Sequence, residues 1–368
     1  MAGAPGRFPA LDTIRAVAIM LVLLRHAVHF WGQPLDSSGW NLWFNGWLGV
    51  DLFFALSGFL ITHHLLTKWP TQQHKAFIYK YLSKRALRIL PLYLSILLLA
   101  SFGLVPYFQP DYPITAHALL VHMVFLQDYL PYSSILVPLW SLGVEEKFYL
   151  LAPLLVYWAY KYNFNSVLVV CVVAVICLPA LRGALLLNDM SAMTYSEFFW
   201  YFRAPFHFSL PSLLAGAIAG LLYTKYPSGL LSAKWNKNLQ YGSIVLLALI
   251  LCTERWAETA QWFAINALLM LCSLLFASVI YCNLFNTPVT ESRTNILLRF
   301  IAKLAYPLYL IHLMMIPLTK VICAAVFSST ENISFTAYFL VYLVLSFFSA
   351  VALHLLVEKP FLVLKDRY

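Results

Sequence analysis

Runs of about 20 mostly apolar residues, the length needed to cross the hydrocarbon core of a bilayer, recur from one end of this chain to the other. They fall at about 11–31, 46–67, 89–107, 138–160, 166–187, 204–223, 239–256, 262–284, 300–325 and 335–357. No other feature constrains the fold as much. Hydrocarbon offers no water to a peptide bond, so a crossing segment must satisfy its own backbone, which for apolar runs of this length means a helix. The chain is 62% hydrophobic and only 11% charged, against roughly 25% charged in a soluble domain. No soluble domain of useful size fits between the runs. The predicted fold is all-α: a polytopic transmembrane bundle of about ten spanning helices, built as a single integral-membrane domain over residues 1–368. An eleventh run at about 115–130, TAHALLVHMVFLQDYL, is short and carries His117 and His122. It is predicted to be re-entrant or interfacial.

Lys and Arg orient the bundle. With the N-terminus inside and 115–130 turning back, 18 of the 24 fall on the cytoplasmic side, as the positive-inside rule favours. A full crossing at 115–130 would leave a split of 13 to 11. Both termini are therefore expected in the cytoplasm, with 68–84 as a basic, polar linker there. The net charge of +9 is assigned to these loops and not to nucleic acid. Cys171, Cys177, Cys252, Cys272, Cys282 and Cys323 form no CxxC pair and read as small hydrophobes, not as metal ligands or a disulfide frame. The N-terminal MAGAPGRFPALDTIR lacks a small-residue cleavage site, so the first helix is expected to remain as an anchor. Membrane lipids are the expected surroundings, and the sequence is compatible with an oligomer.

Four stretches place ionisable groups inside apolar runs, where each costs several kcal/mol and so points to function or a partner. In the first, Arg15 and His26 are eleven residues apart. That is close to three helical turns, so both share one face, roughly 16 Å apart along the axis. Asp12 lies within about 40° of that face and is placed to pair with Arg15 at i,i+3. Arg25 points elsewhere and reads as an interfacial anchor; His29 reads as a histidine that reaches water. In the second, GWLGVDLFFALSGFLITHHLL, Asp51 is a lone carboxylate that would orient a histidine across the helix pair or cap its helix. Ser57-Gly58 are small residues suited to close helix packing; no nucleophile elbow surrounds Ser57. In the third, FIYKYLSKRALRILPLY, Arg85 and Arg88 share a face behind Lys80 and Lys84. They read equally as a basic interfacial collar or as a guanidinium fork for phosphate. Pro91 predicts a kink or helix start. In the fourth, PLWSLGVEEKFYLLAPLL, adjacent Glu145 and Glu146 cannot face the same way on a helix. One is expected to pair with Lys147 or an arginine.

In this order, the four stretches resemble the acyltransferase-3 family of integral-membrane acyltransferases. The family pattern LDxxRAxAxxxVxxxH is met by Leu11, Asp12, Arg15 and His26. GVDLFFALSGFLIT matches the second motif almost residue for residue. KRALRILPLY carries RxxR as Arg85 and Arg88, and LWSLGVEEKFYLLAPLL matches the fifth-helix signature. AYPLYLIHLMM with His312 and VEKPF with Glu358 extend the likeness to about residues 8–362. Where many members have Arg and Asp before LLxGAxxA, this chain reads FSLPSLLAGAIAG, with Ser209 and Pro211. Arg203 and His207 are the candidates to substitute.

The resemblance implies an O-acyltransferase of the bacterial inner membrane. It would move an acyl group, usually acetyl, from cytoplasmic acetyl-CoA to a hydroxyl of a cell-surface or lipid-linked glycan, with no metal. It implies His26 as base or acyl acceptor, with Asp12, Arg15 and Glu145 as its catalytic companions. Arg85, Arg88 and Lys84 would hold CoA, and Asp51, Glu146 and His312 would contact the acceptor. Because the sequence stops at Tyr368 without a hydrolase-like domain, the membrane part is expected to act alone or with a separate partner. The competing readings are a transporter or flippase for a lipid-linked sugar, against which the absence of an internal repeat counts, and an acyltransferase with another donor such as succinyl-CoA.

Overall fold

The computed structural model describes residues 8, 10–31, 41–69, 73–110, 112–130, 134–186, 195–254, 261–286, 293–327 and 333–367. Among these there is no strand. The helices of eight residues or more among them are α1 (Ala10–Trp31), α2 (Leu48–Lys68), α3 (His74–Ser101), α4 (Ala116–Met123), α5 (Trp140–Lys161) and α6 (Phe164–Leu186). They continue as α7 (Phe206–Lys225), α8 (Ala233–Thr253), α9 (Leu269–Asn286), α10 (Arg293–Phe327), α11 (Phe335–Leu353) and α12 (Lys359–Arg367). Two π-helical turns matter below. One, Phe199–Arg203, leads toward α7, and the other, His354–Glu358, joins α11 to α12.

Among the described residues, six helical stretches are long and apolar enough to cross a membrane: Asn41–Lys68, Phe164–Leu185, Phe206–Lys225, Asn266–Asn286, Ile296–Val326 and Phe335–Arg367. Helices α1, α3, α5 and α8 are comparably long, at 22, 28, 22 and 21 residues, and contain more of the charged residues. The greater part of each of the ten apolar runs thus lies in a helix of 18 residues or more, although the run at 89–107 continues past the end of α3 at Ser101. The eleventh run lies in no such helix. Only the eight residues of α4 are helical, about 12 Å of rise, and Thr115 caps them by accepting from the Ala118 amide at 3.1 Å. The turns that follow fold back onto α5. Lys147 Nζ donates to Phe125 O and to Asp128 Oδ1, each at 2.6 Å, and Gln127 donates to Leu139 O at 2.8 Å. Asp128 also accepts from the first amide of α7, Phe206 N, at 3.1 Å. Lys147 is therefore taken by Asp128, not by a glutamate beside it. The stretch 68–84 differs from a linker, since from His74 onward it forms the first turns of α3, which runs on through Pro91.

The tightest crossing is α2 against α7. A Cβ at Gly58 would fall on the Leu213 carbonyl oxygen, and one at Gly216 on that of Ala55. The two glycines are reciprocal: each lets the other helix's backbone approach, the packing that small residues permit in a bilayer. Helix α1 lies against α2 and α10, so its motif face turns inward. Gly216→Ala is expected to lower stability by about 1–3 kcal/mol through overpacking. A shift of the unfolding midpoint in a sodium dodecyl sulfate titration reads this; an unshifted midpoint would mean the helices part cheaply.

Candidate active site

The functional side chains converge on the space between α1, α2, α5 and α10, which holds two cavities. The smaller, of about 150 Å³, is lined by Arg15, Ser57, Arg85, Arg88, Glu145, Tyr149, Lys303, Tyr306 and Glu358 among others. The larger, of about 370 Å³, is lined by Arg25, His26, His29, Phe30, Trp47, Trp140, Phe199, Trp200 and Arg203 among others. Depth along the helices separates them consistently. On α1, Arg15 belongs to the first and His26 to the second; on α10, Lys303 and Tyr306 belong to the first and Leu313 to the second. On α2 and α5 the order is reversed: Trp47, just before α2, precedes Ser57, and Pro138, just before α5, precedes Glu145. The linings share Val50 and Tyr309. A third crevice, of about 440 Å³, lies on the other side of α1 against α8 and α9 and is mostly apolar.

In the larger cavity His26 is paired with His312. His312 Nε2 lies 3.2 Å from His26 Nδ1, across 286 residues of sequence. His26 Nδ1 also lies 2.9 Å from Val22 O, and His312 Nδ1 3.1 Å from Leu308 O. A carbonyl oxygen only accepts, so in the neutral rings both protons sit on Nδ1. His312 Nε2 is then an acceptor for the His26 N–H. The His26 lone pair is left on Nε2, the position a base or nucleophile requires. Among the described residues no partner bonds that nitrogen. His312 is fully buried, so it meets His26 and not the cavity. His29 and Phe30 are exposed. Arg25 is buried and lines this cavity, unlike the snorkelling anchor expected; the helix buries the end that the sequence alone places at an interface.

Asp51 faces neither cavity. Fully buried, it accepts from Arg203 Nη2 at 2.5 Å and from Ser212 Oγ at 3.0 Å. The Arg203 guanidinium in turn lies over the rings of Trp47 and Trp140, at 5.7 and 5.2 Å, and reaches Ser209 Oγ at 3.3 Å. The π turn Phe199–Arg203 sets its position. The buried Arg182 donates to Phe202 O within that turn and to Phe208 O beyond it. Of the two substitutes named for the motif departure, Arg203 is in the cavity wall. His207 instead bonds Tyr129, with Nδ1 3.0 Å from the hydroxyl.

The smaller cavity gathers Arg15, Arg85, Arg88 and Lys303 against Glu145 and Glu358. Arg15 holds Asp12 at 2.9 Å, the pair that the i,i+3 spacing predicts. Glu145 accepts from Ser57 Oγ at 2.7 Å and Tyr149 OH at 3.3 Å. Arg85 lies over the rings of Tyr81 and Tyr149, and Arg88 is exposed. Glu358, set by its π turn, pairs with His354 Nδ1 at 2.5 Å. Neither Lys84 nor Glu146 lines either cavity among the described residues. The sequence reading passed over Tyr309, Trp47 and Trp140. Tyr309 was detectable, since it stands three residues before His312 and so shares its helix face.

A cavity lined by four cations thus adjoins a cavity lined by His26, inside a bundle of long apolar helices. The profile of the acyltransferase-3 family, described as an acyltransferase domain, matches residues 8–355. The chain belongs to this family, and it is an integral membrane protein. Its curated relatives include the peptidoglycan O-acetyltransferase OatA of Listeria monocytogenes, 30% identical over 159 residues, which are 39% of this chain and 23% of that protein. The O-acetyltransferase OatA of Staphylococcus aureus is 32% identical over 165 residues, 41% of this chain and 25% of that protein. A Haemophilus influenzae protein described as uncharacterized is 28% identical over 214 residues, 54% of this chain and 84% of that protein. The chain thus matches about a quarter of the length of the two O-acetyltransferases. No solved structure matches it.

Proposed function

We propose that the chain is a membrane O-acyltransferase that moves an acyl group, in the simplest case acetyl, from cytoplasmic acyl-CoA to a hydroxyl of a cell-surface or lipid-linked glycan. In this reading all ten long helices cross a bacterial inner membrane with both termini in the cytoplasm. The O-acetyltransferase names of two relatives support the acyl group and the glycan acceptor. The observation that carries the proposal is the His26–His312 pair, which leaves the His26 Nε2 lone pair at the wall of one cavity while Arg15, Arg85, Arg88 and Lys303 line the other.

The smaller cavity fits the donor by its charge and shape. Four cations face it, and its narrow volume admits a chain-like arm while leaving phosphates at its mouth, where Arg88 is exposed. When bound, acyl-CoA supplies an activated carbonyl carbon and a thiol leaving group. Arg85 and Arg88 hold phosphate in the bidentate manner open to guanidinium. Glu145 is kept in place by Ser57 and Tyr149. His26 Nε2 takes the proton of the acceptor hydroxyl as it attacks, or accepts the acyl group first and passes it on. Trp47, Trp140 and Trp200 offer flat faces to an acceptor sugar, and Asp51 serves by fixing Arg203 between two of them.

Purified protein incubated with radiolabelled acetyl-CoA and candidate glycans tests the reading: label on a glycan supports it, and absence of CoA binding sinks it. Label trapped on the wild-type protein but not on His26→Ala would select the two-step route. Arg85→Ala with Arg88→Ala is expected to weaken CoA binding by about 10–100-fold per arginine, the worth of a charge-assisted hydrogen bond. Isothermal titration measures this, and unchanged affinity would remove the phosphate clamp.

A further inference from the structure

The two cavities meet at Tyr309. Its ring and Val50 line both, and the side chain is buried. The hydroxyl donates to Pro138 O at 3.0 Å and lies 2.7 Å from Ser141 Oγ, which itself reaches Pro138 O at 3.1 Å. The phenol thus stretches from α10 across the gap to the first turn of α5 and is latched there by two hydrogen bonds. On one side its ring lies against Phe53, with centroids 6.3 Å apart, and on the other against His312, at 5.9 Å. Everything lining only the cationic cavity lies on one side of this bar, and His26 lies on the other. A group held by Arg85 and Arg88 that reaches His26 Nε2 through the two cavities must pass between Tyr309 and Val50.

We propose that Tyr309 is a positioning residue that partitions the donor cavity from the acceptor cavity, keeping water from the His26 side off the donor until an acyl-bearing arm displaces the phenol. The partition rests on the geometry. The naming of the two sides rests on the acyltransferase reading above. A latch of two hydrogen bonds suits the role, because each is worth little net in exchange and the bar can swing without unfolding either helix. Excluding water matters chemically. If water reaches the thioester, its oxygen adds to the carbonyl carbon, the C–S bond breaks, CoA leaves as the thiol with one of the water protons, and the acyl group is lost as a carboxylate that releases the other to solvent.

The test uses the full-length protein in sealed vesicles with the His26 side outward and a membrane-impermeant sulfonated maleimide as the probe. Two cysteines report, Val137→Cys on the outer cavity and Ser57→Cys on the inner one, each read by peptide mass spectrometry. With Tyr309 present, Val137→Cys is expected to label and Ser57→Cys to resist. With Tyr309→Ala, Ser57→Cys is expected to label at a rate matching Val137→Cys. Tyr309→Phe keeps the ring and loses the latch, and should raise labelling of Ser57→Cys by about 5- to 150-fold, the factor two hydrogen bonds are worth. If Tyr309→Ala fails to assemble, Tyr309→Phe decides. Equal labelling of Ser57→Cys with tyrosine, phenylalanine or alanine at 309 would overturn the partition. So would resistance of Val137→Cys in every background. In parallel, acceptor-independent acetyl-CoA hydrolysis should rise in both Tyr309 variants. Changed labelling with no acetyl-CoA turnover would leave the partition standing and refute the acyltransferase reading instead.

Discussion

Replacing His26 by alanine is expected to slow acyl transfer by about 10²–10⁴-fold, the contribution of a positioned acid–base side chain, while CoA binding is unchanged. Val22 O and His312 Nε2 both take the Nδ1 proton of His26, so the ring can neither flip nor change tautomer without losing them. What remains is an oriented lone pair on Nε2. Alanine removes it, and water has no comparable anchor. His312 acts only through His26, so its variants should be graded. His312→Gln retains an amide oxygen to accept from Nδ1 and should keep more activity than His312→Ala. Transfer rates with saturating acetyl-CoA measure both. Wild-type rates in His26→Ala would remove the core of the proposed mechanism.

The second large effect concerns stability. Asp51→Ala is expected to destabilise the fold by about 3–5 kcal/mol, because it leaves a buried guanidinium without its counter-charge. The Asp51 side chain is fully buried and that of Arg203 is 6% exposed, so water can replace little of what is lost. Ser212 also loses its acceptor. The paired variant Asp51→Leu with Arg203→Met should recover most of that loss, since replacing a buried ion pair by apolar residues is often neutral. Unfolding midpoints of the two single variants and the double variant give the coupling. Additive losses would show that the pair is not the source of the effect. The double variant should fold and yet bind the acceptor poorly, because the Trp47 and Trp140 rings would no longer flank a fixed cation.

How much of this was legible beforehand depends on the distance over which each signal acts. The Asp12–Arg15 pair was readable because i,i+3 contacts are built into helix geometry. The alignment of Arg15 with His26 was readable for the same reason. The failures share the opposite cause. Lys147 looked like a partner for an adjacent glutamate, but Asp128, in a turn 19 residues earlier, folds over it. Asp51 looked like a cap or a histidine's companion, but a π turn brings Arg203 to it. Arg25 looked interfacial because it stands near a helix end, and neighbouring helices bury it. The start of α3 was read as linker because its exposed, basic turns carry no apolar period long enough to cross a bilayer.

The sequence by itself determined the class of molecule. Apolar runs of bilayer length compel helices, because a backbone in hydrocarbon has only itself to bond. The ordered motifs carried the resemblance to the family. Tertiary structure alone decided which faces meet. The reciprocal glycines of α2 and α7 set how closely those two helices approach, and the packing of α1 on α2 and α10 and of α2 on α5 decides which of their residues stand at the same depth. From it follow the pairing of His26 with a histidine 286 residues away, the division of the interior into two cavities, and the single phenol between them. No periodicity along one chain segment encodes the depth at which it meets another.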